Sequence, residues 1–246
     1  MKQFFKKLKK QKNVFVEIWL LRLLFKNEIL YKDKLTIFFD LLNFILIFDK
    51  WYLKNSTMTN NQKTKLKDLA SFNFGFHTSE IEKEGVMYLQ ARNFNEDGRF
   101  LNNVDYFIAK DKTKEDHILK DDDILLVGKG MRFFAHCYKK EMGEAVASSI
   151  FYVIKTNREA VLPDYLTCIL NHTKSHNYFN SIGAGSSIPS IRKNELADFE
   201  INLPSLQVQH KIVEIYDLHN KEIQLLEQLK EKKQVRFNQL INEITK

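Results

Sequence analysis

Few residues of this chain stand at the spacings that cofactor binding requires. Gly128-Lys129-Gly130 is too short for a phosphate-binding loop, in which backbone amides wrap the phosphates ahead of a Lys and a Ser or Thr. The glycine-rich segment at 183–187 lacks the third glycine of a dinucleotide fingerprint. The sequence therefore predicts that the chain binds no nucleotide cofactor through these motifs.

The chain also lacks the residues that two kinds of DNA-modifying enzyme require. Methyltransferases that modify adenine carry Asn or Asp followed by two prolines, and the prolines of this chain are isolated. A nuclease of the carboxylate–lysine type needs a second acid two positions before its lysine to hold Mg²⁺. Asp123 and Lys129 suggest such a site, but Val127 stands where the second acid should be. We predict no catalytic residues.

Three residues have the spacing of metal ligands. Cys168, His172 and His176 follow one another at intervals of four, so one continuous helix would place three zinc ligands on one face. A site of this kind without a fourth ligand is unusual, and helix packing and surface exposure explain the same residues. We predict no metal site.

The composition is that of a globular protein in a reducing compartment. Apolar residues make up 44% and charged residues 28% of 246 positions, which excludes wholesale disorder. Only Cys137 and Cys168 are present, and two thiols in a chain of this length do not form a disulfide scaffold. These features predict a cytoplasmic protein.

The net charge of +7 arises from one segment. Residues 1–57 hold 12 basic and 5 acidic residues, whereas residues 58–246 hold 26 of each. We predict a basic, apolar helical leader over 1–57, in which no uncharged run approaches the ~20 residues that span a bilayer. Two interpretations stay open: amphipathic helices on a membrane surface or partner, or an upstream stretch, with Met58 as the functional start.

The elements behind the leader are predicted to form an α+β domain and a long helix. A helix over 162–179 follows from apolar spacing and from Pro163. A helix from about Leu206 to about Ile244 contains no Gly or Pro and would be roughly 60 Å long. Short runs rich in β-branched and aromatic residues predict strands at 86–93, 104–109, 123–127, 132–138 and 146–155.

The final helix carries an apolar stripe that its own domain cannot cover. His219, Lys230 and Lys233 interrupt the stripe, so a long dimeric zipper of pure heptads does not fit. Two interpretations stay open: a solvated helix that is partly docked on its own domain, or a spacer that pairs antiparallel with another such helix. The predicted pairing residues are Ile212, Tyr216, Ile223, Leu226 and Leu229.

The end of the sequence resembles a known family. The string GSSIPSIRKNELADFEINLPSLQVQHKIVEIYDLHNKEIQLLEQLKEKK is similar to the end of a target-recognition domain and the following helix of the specificity subunit of Type I restriction-modification systems. YLQARNFNEDGRF, LKDDDILLVGKG, SSIFYVIKT and LPDYLTCIL resemble earlier parts of that domain, in the family's order. The resemblance covers about residues 64–243, and Pro204 and Gln209 mark the start of the helix.

The resemblance implies a half-length specificity subunit. Family members usually hold two recognition domains and two helices, whereas this chain has one of each, and its leader has no counterpart. The implied domains are the leader at 1–57, a target-recognition domain at 58–204 and a dimerisation or spacer helix at 205–246. The implied fold is α+β, strand-rich, followed by a long coiled-coil-type helix.

The resemblance also implies a division of labour. This chain would be noncatalytic and would read one half-site in double-stranded DNA. It would bind DNA methyltransferase subunits, which use S-adenosylmethionine, and a restriction or translocase subunit, which uses ATP and Mg²⁺. It would pair with a second copy or with another specificity chain. The alternatives are a membrane-surface protein anchored by the leader and an inactive, truncated orphan domain.

Residues with hydrogen-bonding or cationic side chains near the predicted turns are the candidates for contact with DNA. Direct readout needs donors and acceptors at base edges, and positioning needs phosphate contacts. The candidates are Gln90, Arg92, Asn93, Lys129, Arg132, Ser186, Ser187, Arg192 and Lys193.

Overall fold

The computed structural model describes residues 62–183 and 188–245 and confirms the predicted fold class. A strand-rich α+β head is followed by one long C-terminal helix. The predicted leader at 1–57 lies outside the described residues, and so do Ser186 and Ser187.

The centre of the head is a four-stranded antiparallel sheet in the order β2-β8-β5-β6. Its central strands pair in register, with Leu125 opposite Val153. The strands are β2 (Ala70–Phe74), β5 (Ile124–Val127), β6 (Ala135–Cys137) and β8 (Phe151–Thr156).

Two smaller sheets complete the head. The three-stranded sheet has the order β4-β3-β7, in which β3 pairs antiparallel with β4 and parallel with β7. Its strands are β3 (Val86–Leu89), β4 (Phe107–Ile108) and β7 (Ala145–Ala147). The other sheet pairs β1 (Gln62–Lys65) with β9 (Glu200–Leu203) antiparallel, so it joins the two ends of the head.

The strand β5 is buried on both faces of the central sheet, which explains its unbroken apolar sequence. Ile124 and Leu126 face a core shared with the helices, and Leu125 and Val127 face a second core shared with β3 and β7. A strand covered on both sides has no position for a polar side chain. The predicted strand at 123–127 is thereby confirmed, apart from its first residue.

Four α-helices are present in the described part of the chain. α1 (Pro163–Leu170) begins with a proline in its first turn, where no amide donor is required. It is followed by α2 (Thr173–Gly183), the short α3 (Lys193–Ala197) and α4 (Leu206–Ile244). The predicted bounds of the final helix are confirmed. None of the described helices combines the length and apolar character that a bilayer crossing requires.

The side chain of Gln209 fixes the start of α4 to the head. It is 0% exposed. Its Oε1 accepts a hydrogen bond from the amide of Leu162 at 2.8 Å, and its Nε2 donates to the carbonyl oxygens of Ala160 at 3.0 Å and Pro204 at 2.9 Å. The amide thus satisfies one donor and one acceptor of the backbone just before α1 and one acceptor just before α4.

The strand predicted at 146–155 is two strands. The chain leaves the three-stranded sheet after Ala147, turns through residues 148–150 and enters the central sheet at Phe151. Both strands are apolar because both are buried, so the sequence shows one continuous run. The strands at 86–93, 104–109 and 132–138 are also shorter than predicted, because the first run ends in a 3-10 helix and the ends of the other two are irregular.

The helix predicted over 162–179 is interrupted at Asn171. The Oδ1 atom of Asn171 accepts from the amide of Ala135 at 2.7 Å, and its Nδ2 donates to the carbonyl of the same residue at 2.8 Å. The side chain therefore bonds to the edge strand β6, and a new helix begins at Thr173. Cys168, His172 and His176 do not share one continuous helix, which removes the geometric basis of a zinc site.

Replacing Gln209 should loosen the joint between the head and α4. We expect Gln209→Leu to lower the free energy of unfolding by about 2–4 kcal/mol, because it leaves buried backbone groups without partners. Urea unfolding followed by circular dichroism measures the change. Gln207→Ala, on the exposed side of the same turn, is the matched control and should be near neutral. Equal stability of both variants would contradict the role of the amide.

His136 should make the head less stable in acid. Burial lowers the pKa of His136 to about 4, although a contact of its Nδ1 with the carbonyl oxygen of Gly98 at 2.9 Å opposes the shift. The unfolded chain, with a His pKa of about 6.5, binds the proton first, so stability falls as the pH drops from about 6.5 to 4.

A variant without this titration should lose part of that pH dependence. We expect His136→Gln to flatten the curve of unfolding free energy against pH by up to about 3 kcal/mol across this window. Denaturant titrations at several pH values measure it, with the exposed His210→Gln as control. An unchanged slope would show that His136 is not the titrating group.

Candidate nucleic-acid interface

The candidate interface begins where β5 ends, in two segments that pair with each other. The Ile191 amide donates to the carbonyl of Gly128 at 2.8 Å, and the Gly130 amide donates to the carbonyl of Pro189 at 2.9 Å. Lys129 forms an antiparallel bridge with Ser190 between these bonds. We call residues 128–132 and 188–193 the paired loop.

Two glycines allow the paired loop to form. A Cβ on Gly128 would lie 2.5 Å from the ring of Tyr152, so a larger residue would displace that ring. The Tyr152 hydroxyl in turn donates to the carbonyl of Ile191 at 2.8 Å and so holds the second segment. Gly130 has a φ of +142°, which side chains rarely adopt. The loop is therefore built on the central sheet.

The paired loop carries four exposed cations. Arg192 has a side chain that is 84% exposed and lies 3.9 Å from Glu195, and Arg132 lies at the same distance from Glu96. Lys129 and Lys193 are exposed and make no ion pair with any residue in the described ranges. The predicted residues of these two segments are thus exposed on segments whose backbones pair with each other.

A cleft of about 540 Å³ adjoins the paired loop. Ile150 connects the two, since it lines the cleft and its carbonyl oxygen accepts from the Gly128 amide at 2.7 Å. The lining includes the predicted residues Gln90 and Arg92, together with Tyr106, Ser148 and Ser149.

Neighbouring side chains hold Arg92 in one orientation. Its guanidinium carbon lies 4.0 Å from the centre of the Tyr106 ring, and its Nη2 donates to Oδ1 of Asp105 at 2.8 Å. Further donors of the guanidinium remain, and the Arg92 side chain is 47% exposed. A guanidinium fixed in this way suits planar, bidentate recognition of a base edge.

Asn93 does not belong to this surface. It is 2% exposed, its Oδ1 accepts from the Gln90 amide at 2.8 Å, and its Nδ2 donates to the carbonyl of Asn103 at 3.1 Å. The side chain closes the 3-10 turn after β3 and is not available for DNA. The prediction for Asn93 is corrected accordingly, because an asparagine beside a turn serves the turn itself.

Sequence reasoning found only Gln90 and Arg92 of the cleft lining, and two of the residues that it missed are Ser148 and Tyr106. Ser148 is 5% exposed, and its Oγ has no hydrogen-bond partner among the described residues. Tyr106 orients Arg92. The hydroxyl could not be found from sequence because the run at 146–155 gave no sign of a turn. Tyr106 could have been found, since a tyrosine amid β-rich sequence often presents its ring to a neighbouring cation.

One group in the described part of the chain has potential metal ligands. Oxygens of Asp122 and Asp164 and the sulfur of Cys137 lie within 4.8 Å of one another. The Lys139 ammonium already bridges the two carboxylates, at 2.6 and 3.0 Å. Burial would lower the pKa of Lys139, but these hydrogen bonds raise it above its ordinary value. A fixed cation thus occupies the position that a metal would need.

The predicted pairing residues on α4 divide into two groups. Ile212 packs against the core of the head, and Tyr216 is half-buried beside Asn171, whose Nδ2 lies 3.4 Å from its hydroxyl. These two dock α4 on its own domain, which corrects their assignment to a partner. Ile223 is half-buried, whereas Leu226 and Leu229 are 54% and 49% exposed.

Comparison with known proteins identifies the head and helix together. The family model described as Type I restriction modification DNA specificity domain matches residues 58–234. No curated protein sequence matches the chain significantly.

Solved structures resemble the fold at low sequence identity. The HsdS subunit from Thermoanaerobacter tengcongensis has 14% identity and a TM-score of 0.50, over 70% of this chain and 45% of that one. A chain from a study of complex assembly and conformational transition of the type I R-M system has 14% identity and a TM-score of 0.57, over 73% and 43%. The Type-I restriction-modification system S subunit from M. genitalium has 14% identity and a TM-score of 0.49, over 66% and 40%.

This chain spans less than half of each of these structures. The matched family model, in contrast, extends from the start of the head well into α4. The chain therefore belongs to the family of Type I restriction-modification DNA specificity domains.

Proposed function

We propose that this chain is a noncatalytic, sequence-specific DNA-binding specificity subunit that reads one half of a bipartite site for a Type I restriction-modification complex. The observation that carries the proposal is the joining of a cationic paired loop to a cleft containing Arg92, through Ile150 and Gly128. Because the chain belongs to a family of DNA specificity domains, DNA is the ligand that we propose for this surface.

The two parts of the surface suit the two tasks of a DNA reader. The four cations of the paired loop are exposed, which suits contact with phosphates: Lys129, Arg132, Arg192 and Lys193. Arg92 is held by a ring and a carboxylate, and Gln90 lies beside it in the cleft, which suits hydrogen bonds to base edges. Positioning would thus come from the loop and specificity from the cleft.

The chemistry of the complex is assigned to partner subunits. Methyltransferase subunits would supply S-adenosylmethionine-dependent adenine methylation, and a restriction or translocase subunit would use ATP and Mg²⁺. We assign residues 58–204 to target recognition, residues 205–246 to spacing and docking, and the assembly to the cytoplasm.

The exposed half of α4 suits pairing with a second copy. Ion pairing with the head reaches Glu227, which lies 3.6 Å from Arg99, yet residues 224–245 are exposed throughout. The helix has 39 residues, about 58 Å at ~1.5 Å each. Antiparallel pairing would separate two heads by somewhat less than two turns of DNA, at about 34 Å per turn. Two half-length chains would then read a bipartite site.

Loss of the chain should remove adenine methylation at one bipartite motif. We expect genome-wide mapping of methyladenine to lose that motif when the chain is deleted, and re-expression to restore it. Arg92→Ala should reduce methylation of the motif about 10- to 100-fold, the loss of one bidentate base contact. A methylome unchanged by deletion would contradict the proposed function.

The salt dependence of DNA affinity distinguishes phosphate contacts from contacts with base edges. Lys129→Ala in the assembled complex should weaken binding to all duplexes alike and lower the slope of log affinity against log salt by about 0.9. Arg92→Ala should leave that slope nearly unchanged and weaken the mapped site alone. Identical behaviour of the two variants would rule out the division between loop and cleft.

Pairing through α4 should depend on its exposed leucines. We expect the full chain to form a concentration-dependent dimer in light scattering and Leu226→Lys with Leu229→Lys to leave a monomer, because four buried ammonium groups would oppose pairing. Gln228→Lys, on the other side of the helix, is the control and should still dimerise. A dimer that survives the double change would place the pairing surface elsewhere.

A further inference from the structure

The paired loop exposes an apolar pair at its tip. Met131 is 80% exposed and Ile188 is 50% exposed. Because Lys129 pairs antiparallel with Ser190, and the Gly130 amide bonds to the carbonyl of Pro189, continuing this register places Met131 opposite Ile188. The two side chains place apolar atoms at the tip of a loop whose other exposed side chains include four cations.

The loop holds Met131 outward. Gly128 is packed against the Tyr152 ring, and its carbonyl oxygen and amide are both bonded to neighbouring segments. Nothing among the described residues lies within 4 Å of the position that a Cβ on Gly130 would take, so the space beside this glycine is open. The hydrogen-bonded backbone at the base of the paired loop therefore keeps the Met131 side chain exposed.

The charges around the tip indicate what the apolar pair meets. Arg132 follows Met131 directly, Lys129 lies two residues before it, and Arg192 and Lys193 lie further along the opposite segment, all four exposed. A partner protein with an apolar pocket would have to match these cations with acids. A duplex offers both requirements at once, since phosphates line each groove and the faces of stacked bases are apolar.

We propose that Met131, supported by Ile188, inserts as a wedge at a base step of the bound duplex. The inference rests on the proposed DNA-binding function and deepens it, because it assigns a third means of recognition besides phosphate and base-edge contacts. Partial unstacking costs free energy, which burial of the Met131 side chain and the four cationic contacts offset.

A wedge has a consequence for the sequence that is read. Pyrimidine–purine steps unstack and kink more easily than other steps. The half-site should therefore contain such a step at a position where no side chain hydrogen-bonds to the bases. Specificity at that position would come from the deformability of the DNA.

The test uses the full chain assembled with its methyltransferase subunits and a duplex of the motif found by methyladenine mapping. 2-Aminopurine, whose fluorescence rises on unstacking, is placed at each step of the half-site in turn. We expect fluorescence to rise at one step with the natural chain and to stay unchanged with Met131→Ala. Affinity for the natural duplex should fall about tenfold in this variant, the effect of burying one Met side chain less.

A conservative variant distinguishes insertion from simple damage to the loop. Met131→Leu should retain the fluorescence rise and the affinity, and all three proteins should have the same Tm because the side chain is exposed. A flat signal at every step with the natural chain, or full affinity in Met131→Ala, overturns the wedge while leaving sequence-specific binding intact. Loss of methyltransferase assembly in Met131→Ala also overturns it, since the tip would then bind protein. Failure of the natural assembly to bind the mapped duplex rejects the proposed function itself.

Discussion

The burial of one amide side chain determines how the two parts of this molecule are joined. Gln209 lies in the first turn of α4 and is bonded to the backbone at Leu162, Ala160 and Pro204. A hydrophobic residue could fill the same space but would leave these polar groups without water or partners, which costs more than the packing gains. Because three bonds radiate from one planar group, they fix the direction of the helix as well as its contact with the head. The position of every residue along α4 relative to the head is therefore set by the contacts of Gln209.

A second constraint comes from the change of sheet between β7 and β8. The chain runs parallel to β3 as far as Ala147 and then becomes a central strand of the other sheet at Phe151. Of the three residues between them, Ser148 still pairs with β3, because its amide donates to the carbonyl oxygen of Leu89 at 2.9 Å, and the next two residues form a turn. All three line the cleft beside Arg92, and the last of them, Ile150, bonds to Gly128 at the base of the paired loop. The candidate interface therefore lies where the chain passes from one sheet to the other.

The sequence predicted the elements that have a strong local signal and missed those decided by distant contacts. The bounds of α4 and the buried strand β5 follow from periodicity, from the lack of Gly and Pro, and from a continuous apolar run. The break at Asn171 does not, because its cause is the edge of β6, some 36 positions away in sequence. β1 was also missed, since the polar string QKTK is a strand only through its pairing with β9.

The candidate site shows the same division. Turn glycines and nearby cations led to Lys129 and Arg92 because exposed polar residues around glycine have a recognisable pattern. The burial of Asn93 could not be predicted from residue type, since an asparagine at a turn occurs both exposed and buried. The packing of Ile212 against the head could not be predicted either, since an isoleucine on a helix can face its own domain or a partner. The family resemblance supplied the order of the pieces, and the structure supplied which side chains remain accessible.

The charge distribution decides how such a head can be selective. The segment 58–246 has equal numbers of basic and acidic residues, so it lacks the long-range field that would hold it on any DNA. In the proposed DNA complex, binding would then depend on short-range contacts of the paired loop and the cleft. In the proposed dimer, two heads held at a set spacing by their helices would bind together, because the second contact would become intramolecular. The hydrogen bonds of Gln209 favour that gain, since a loose joint would spread the second head over many positions and lower its effective concentration.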